Sequence, residues 1–217
     1  METGSLTKTL DDDDFVLSVA FSHDSSLLAS GSTVTIDYGI LMDMGPDHNG
    51  TIKVWDVATG TLLHTLERHG TFVYGVAFSH DSKLIAAGAD SWTVRIWDTT
   101  TWESIRSVRC DGNVTSVAFS HDSKLLASGS SGSVKIWDMA LIPKSTKEID
   151  VYKGKVNAVA FSDNSELVAS ASEDEMVKLW DPTTGSLQHL MMSINMARSV
   201  TFSNDLRLVV FGNWGEI

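Results

Sequence analysis

The sequence predicts an all-β chain assembled from repeated four-stranded units, and three observations predict it. A segment recurs five times: VAFSHDSSLLAS at 19–30, VAFSHDSKLIAA at 76–87, VAFSHDSKLLAS at 117–128, VAFSDNSELVAS at 159–170 and VTFSNDLRLVVF at 200–211. Four copies lead into a strand-like run that ends in Trp-Asp, at Trp55-Asp56, Trp97-Asp98, Trp137-Asp138 and Trp180-Asp181. The spacing is regular: Phe78 to Phe119 is 41 residues, Phe119 to Phe161 is 42 and Phe161 to Phe202 is 41. A period in this range marks units too small to bury a core alone, which stack on their neighbours. Function is then expected on a shared surface.

Each unit reads as four strands. In the second, Val76-Ala77-Phe78 is a short apolar run and His80-Asp81-Ser82 supplies turn chemistry. Leu84 to Ala87 forms a second run, and Thr93-Val94-Arg95-Ile96-Trp97 alternates with period two. A Thr-rich turn at 99–101 leads to a more polar strand from Glu103 to Val108. The first two runs are apolar on both faces, as strands wedged between neighbouring sheets should be. The polar fourth suits an outer edge.

These Trp-Asp endings in register resemble the WD-repeat family over nearly the whole chain. The resemblance implies β-propeller blades of four antiparallel strands around a channel. The expected architecture is an all-β propeller of four full blades and a partial fifth. The wording of the repeats is similar to that of fungal NACHT-class signalling and incompatibility receptors, and also to fungal mitochondrial-division adaptors. By alignment of the repeats, residues 1–10 form an outer strand of a preceding or closing blade. Blade 1 covers 15–66, blade 2 covers 72–108, blade 3 covers 113–151, blade 4 covers 155–190 and a partial fifth covers 196–217.

The resemblance also implies a buried hydrogen-bonded set of His, Ser/Thr, Asp and Trp in each blade. Here the set is broken everywhere. Tyr152 stands at the His position of the unit with Ser170 and Asp174; His69 is present where Ala87 and Ser91 replace its partners; Cys110 takes the His place in the next unit. Blades held mainly by apolar packing, and less stable than regular arrays, are therefore expected. The chain closes on Gly212 to Ile217, which aligns with the turn before a third strand, so Trp214 is read as a turn residue. Seven-bladed closure at this period would take about 290 residues. An incomplete ring or a fragment with open sheet edges is expected, and with it self-association. Blade 1 carries about 15 extra residues over 32–48, read either as a docking loop or as a gene-model error.

Composition narrows the function. Hydrophobic content is 42%, charged content 20% and there are only 3 prolines, a globular profile. The formal charge of −12 disfavours nucleic acid and anionic membranes as partners and permits a basic protein. Cys110 is the single cysteine, so neither an intrachain disulfide nor a cysteine-based zinc site is expected. There is no apolar leader and no run of the ~20 apolar residues that a membrane helix needs. A cytoplasmic chain follows, with the nucleus also open to it, and with the sequons at Asn49 and Asn113 unused.

Ser22-His23-Asp24, Ser79-His80-Asp81 and Ser120-His121-Asp122 contain the residue types of a hydrolase triad. Three adjacent turn residues do not converge as that chemistry requires, so they are read as turns. The same histidines are expected on separate blades, too far apart to share a metal ion. Asp11 to Asp14 reads as a solvated loop, and Lys53, Arg95, Lys135 and Lys178 as packed stems with solvated heads. No phosphate loop or metalloprotease helix is present. No catalytic residue, cofactor or metal is expected.

The resemblance implies that partner peptides dock on one face, lined by the entrance of each innermost strand and by the turn between the second and third strands. The entrance positions are Phe15 and Leu17, Phe72 and Tyr74, Asn113 and Thr115, Lys155 and Asn157, Met196 and Arg198. Beside them lie Asp90, Trp92, Glu173 and Glu175. They vary while the frame stays constant, and aromatics with Arg suit an interface. A non-catalytic scaffold is the expected function, with the ligand-sensing end of a fungal NACHT-type signalling NTPase, or an adaptor in mitochondrial division, as the alternatives.

Overall fold

The structure is a computed structural model of the 217-residue chain, and it describes residues 8–12, 14–33, 50–66, 69–70, 72–140 and 145–213, with the side chains of 145–151 left aside. Seventeen strands and no helix are found among these residues.

Blade 1 is β1 (Phe15–Phe21), β2 (Leu27–Thr33), β3 (Ile52–Asp56) and β4 (Leu62–Thr65), hydrogen-bonded in that order. Blade 2 repeats the pattern with β5 (Val73–Phe78), β6 (Leu84–Ala89), β7 (Thr93–Asp98) and β8 (Ser104–Arg109). Blade 3 has β9 (Ser116–Phe119), β10 (Leu125–Gly129) and β11 (Ser131–Asp138), followed by a 17-residue strand, β12 (Ser145–Phe161). Blade 4 continues through β13 (Val168–Ser172), β14 (Met176–Trp180) and β15 (Leu187–Met192). Only β16 (Ala197–Phe202) and β17 (Val209–Asn213) follow, as an antiparallel pair. The molecule is an incomplete propeller. Residues 1–7 of the expected leading strand, residues 34–48 of the expected insert, and Trp214 lie outside the described residues.

One departure from the sequence reading concerns β12. Two separate strands were expected across 145–161, yet one strand serves both blades. Its first part pairs with β11 from Ser133↔Asp150 to Trp137↔Ser145, and its second part pairs with β13 from Val156↔Ser172 to Phe161↔Val168. Blades 3 and 4 therefore join as a seven-stranded sheet.

Packing follows from the two-residue period. Val94 and Ile96 of β7 are fully buried against Val114, Val117, Leu126 and Trp137 of blade 3. Ile52 and Val54 meet Val73 and Trp97 in the same way, and Val134 and Ile136 meet Val156 and Trp180. The outer strand β8 is exposed except at Val108. A glycine on the second strand makes the close approach possible. A Cβ on Gly31 would fall 2.7 Å from Val73, one on Gly88 2.4 Å from Val114, and one on Gly129 2.8 Å from Val156. In blade 4 the same position is Ala171, and the residue packed in its cluster shrinks to Ala197. A Gly–Val pair carries three side-chain carbons and this Ala–Ala pair two, so the junction holds one carbon less.

Candidate protein-recognition face

Four of the five innermost strands carry a common irregularity at their entrance, β9 being the exception. Register slips between Val16 and Ser18 in β1, between Val73 and Gly75 in β5, between Val156 and Ala158 in β12, and between Ala197 and Ser199 in β16. The unpaired residues are Leu17, Tyr74, Asn157 and Arg198, four of the residues singled out from sequence. A bulge leaves one residue outside the ladder and re-aims its side chain. Such a residue is freed from the pairing that constrains Val16, Val73, Val156 and Ala197 before it.

Around Tyr74 the structure brings several of the candidates together. Phe72 and Tyr74 stack with centroids 5.8 Å apart and planes 7° from parallel. The ammonium of Lys155, two blades away, lies 5.5 Å from the centre of the Tyr74 ring. Such a cation over an aromatic face is worth about 0.5–1 kcal/mol at an exposed site. Asp90 accepts from the backbone N–H of Phe72 at 3.2 Å and donates its own N–H to the Phe72 carbonyl at 3.2 Å. Burial, with Asp90 close by, raises the Tyr74 phenol above its ordinary pKa and keeps it a neutral donor. The backbone of Glu173 donates to the Lys155 carbonyl at 2.9 Å. Asn157 donates its side-chain amide to the Ala197 carbonyl at 2.9 Å, beside Met196 and Arg198. Thr115 Oγ1 donates to the carbonyls of Gly129 and Val156. Asn113, two residues earlier, is half-buried.

Trp92 is the exposed aromatic of this group, with 47% of its surface open and a left-handed φ of 60°. The corresponding turn of blade 4 places Glu175 at φ 67°. A bulky residue in that region costs about 1–2 kcal/mol that glycine would not. Phe15 and Leu17 are also exposed, but they belong to the uncovered front of blade 1.

The family described as WD domain, G-beta repeat matches residues 4–56, 60–98, 102–138 and 144–181. The chain is a WD-repeat protein. It is similar to the target of rapamycin complex subunit wat1 of Schizosaccharomyces pombe, 30% identical over 80% of this chain and 56% of that protein. It is 32% identical to the nuclear distribution protein PAC1-2 of Uncinocarpus reesii over 35% of this chain and 17% of that one. Against the vegetative incompatibility protein HET-E-1 of Podospora anserina, the identity is 41% over 26% of this chain and 4% of the other. The chain thus spans little more than half of wat1 and far less of the other two.

In WD-repeat terms each blade has its own polar wiring. The indole N–H of Trp55, Trp137 and Trp180 donates to Ser30, Ser128 and Ser170 at 3.0, 3.0 and 2.7 Å. The serine then meets a different group in each blade: Asp12 in blade 1, Cys110 in blade 3 and Tyr152 in blade 4. Apolar packing is therefore not the sole tie, because three blades retain the Ser–Trp bond with substitutes for His. Burial raises Tyr152 above the ordinary tyrosine range. The Asp of each Trp-Asp pair caps the next turn, as when Asp98 accepts from the N–H of Thr100 and Thr101 at 2.7 and 3.0 Å.

Three sequence expectations are corrected. Asp12 is not solvated: its side chain is 4% exposed and 2.6 Å from Lys53 Nζ. Lysine heads are also inside, Lys135 on Asp111 at 2.5 Å and Lys178 3.8 Å over the Tyr152 ring. A period-two pattern places such a residue on a face without saying what faces it. His23, His80 and His121 are in ring contact, with neighbouring centroids 3.5 and 3.6 Å apart, and not far apart as expected. Rings this close are too close to share one ion, since ligands about 2.0–2.1 Å from a tetrahedral metal stand roughly 5 Å apart at their centres. The serines of these turns donate straight to the aspartates, Ser22 to Asp24 at 2.6 Å and Ser79 to Asp81 at 2.7 Å, with no imidazole between them.

Proposed function

We propose that the chain is a scaffold that captures a protein or peptide on the face around Tyr74. WD repeats generally serve as non-catalytic platforms for protein assembly. The observation that carries the reading is the bulge at Leu17, Tyr74, Asn157 and Arg198. It sets a variable residue outside the ladder in four of the five inner strands. Tyr74 and Lys155, which come from different blades, present an aromatic and a cation together, and Trp92 stays half-exposed despite its unfavourable backbone. Asp90, Glu173 and Glu175 around them favour a ligand with basic groups. We place this activity in the cytoplasm; the buried thiol of Cys110 suits a reducing compartment.

The test compares the chain with a Phe72→Ala, Tyr74→Ala, Trp92→Ala variant as bait in cell extract. The variant should keep its β-sheet circular dichroism and lose the partners recovered by the wild type. Equal recovery would remove the proposed face.

A second reading rests on the likeness to the HET-E-1 repeats. In it, the same face is the sensor end of a longer signalling NTPase of the NACHT class. A phosphate-loop motif in the reading frame upstream would select this version, and the ligand would then control the NTPase.

A further inference from the structure

Each inner strand starts at the proposed recognition face and ends at the opposite end of the array in a Ser-x-Asp turn, or Ser-x-Asn in blade 4. There His23, His80 and His121, from three successive blades, form a fan. Centroids are 3.5 Å apart for the first pair and 3.6 Å for the second, while the outer two rings stand 6.4 Å apart. Each ring is tilted about 40° from the next, at 41° and 38°. The fan borders a cavity of about 230 Å³ that also takes Asp163.

The turns carrying these rings are tied by one hydrogen bond at each junction. The N–H of His23 donates to Ser82 Oγ at 3.1 Å, and the N–H of Asp81 donates to Ser123 Oγ at 3.1 Å. Both serines have left-handed backbones, with φ of 56° and 58°. The histidines are not needed to build the turn. Blades 4 and 5 have Asp163 and Asn204 at the same position, and there Ser162 and Ser203 clasp Asn164 and Asp205 at 2.7 and 2.6 Å in the same way.

Neutral imidazoles tolerate such tilted ring contact, but imidazolium rings at that distance repel. We propose that the fan is a proton-sensitive clasp that joins the turns of blades 1 to 3 while neutral and releases them when protonated. The groups acting on the central ring are His121 and His23, which oppose its charge, and Asp163 and Asp81, which favour it. Partial desolvation and the two rings prevail, and His80 is held below the ordinary histidine value. The sign follows: the folded state favours the neutral ring, so the clasp is closed above about pH 6.5 and opens as pH falls below it.

The experiment records imidazole proton shifts against pH in the full chain, together with amide exchange protection factors at about pH 7.5 and about pH 5.5. His80 should titrate below its own value in a His23→Asn, His121→Asn chain. Protection of the His23 and Asp81 amides should fall about tenfold or more between the two pH values in the wild type. In His80→Asn, which copies blade 5, both protections should lose the extra pH dependence and keep only what is common to all of these chains; His121→Asn should remove it at Asp81 in the same way. His69 is present in all of these chains, so its titration cancels. Three rings that titrate independently, unchanged protection in the wild type, or an equal fall in His80→Asn would each overturn the clasp.

Discussion

Trp97 and Ala87 share one buried cluster, and there the indole N–H of Trp97 reaches no acceptor. Ala87 stands where Ser30, Ser128 and Ser170 accept from the tryptophans of the other blades. His69, the partner such a serine would share, bonds the Ala87 carbonyl at 3.0 Å instead. Ala87→Ser should therefore stabilise the chain by about 1 kcal/mol, and by up to about 3 if the full penalty of the orphaned N–H is recovered. Thermal unfolding checks it, with an expected rise of about 2–4 °C per kcal/mol for a chain of this size. A fall in the midpoint would show that the hydroxyl does not fit.

Asp12 and Lys53 form a partly enclosed ion pair, with side chains 4% and 13% exposed and a separation of 2.6 Å. Removing one partner strands the other charge. Asp12→Ala is expected to cost about 3 kcal/mol, whereas Asp11→Ala, on an exposed neighbour, should stay within about 0.5 kcal/mol. Replacing both, as Asp12→Ala with Lys53→Met, should recover most of the loss. Urea denaturation of the three variants beside the wild type separates these outcomes.

His69 is 1% exposed and packs edge-on against Trp97 at 5.8 Å. Burial lowers its pKa from 6.5 to about 4. Because the folded value is depressed, the unfolded chain takes up the proton first as pH falls. The stabilising contribution is whole above about pH 6.5 and is lost progressively between there and about pH 4. The difference amounts to about 3 kcal/mol. His69→Phe should flatten this part of the acid profile, read as the urea midpoint at several pH values; an unchanged slope would assign the acid sensitivity elsewhere.

Val19 is 59% exposed, while the matching Val76, Val117, Val159 and Val200 are 6%, 7%, 6% and 9% exposed. Those four are covered by the preceding blade. With Val16, Leu28 and Trp55, Val19 borders a cavity of about 380 Å³ on the open front of blade 1. The 217-residue chain is thus expected to self-associate, through a face as well as through strand edges. Val19→Glu should shift light scattering at micromolar concentration towards monomer. A wild type already monomeric under those conditions would count against the association.

The repeats, the strand order within a blade and the place of each Trp-Asp turn were legible in the chain itself. They depend on near neighbours: period-two alternation in Thr93 to Trp97, Ser-x-Asp or Ser-x-Asn in the hairpin turns, and Thr within three residues after Asp56, Asp98 and Asp181. The candidate recognition residues were legible as positions, because Leu17, Tyr74, Asn157 and Arg198 vary against a fixed frame. Their bulges were not, since a register slip is a property of two paired strands.

What the tertiary structure alone decided is which distant residues meet. Asp12 finds Lys53 across 41 positions, Lys155 finds Tyr74 two blades away, and His23, His80 and His121 come into contact although each belongs to a different repeat. The physical reason is radial. Blades diverge outward, so equivalent outer residues separate, but the inner strands converge and force equivalent side chains at their ends together. Repeat spacing measures the period along the chain and is blind to that convergence.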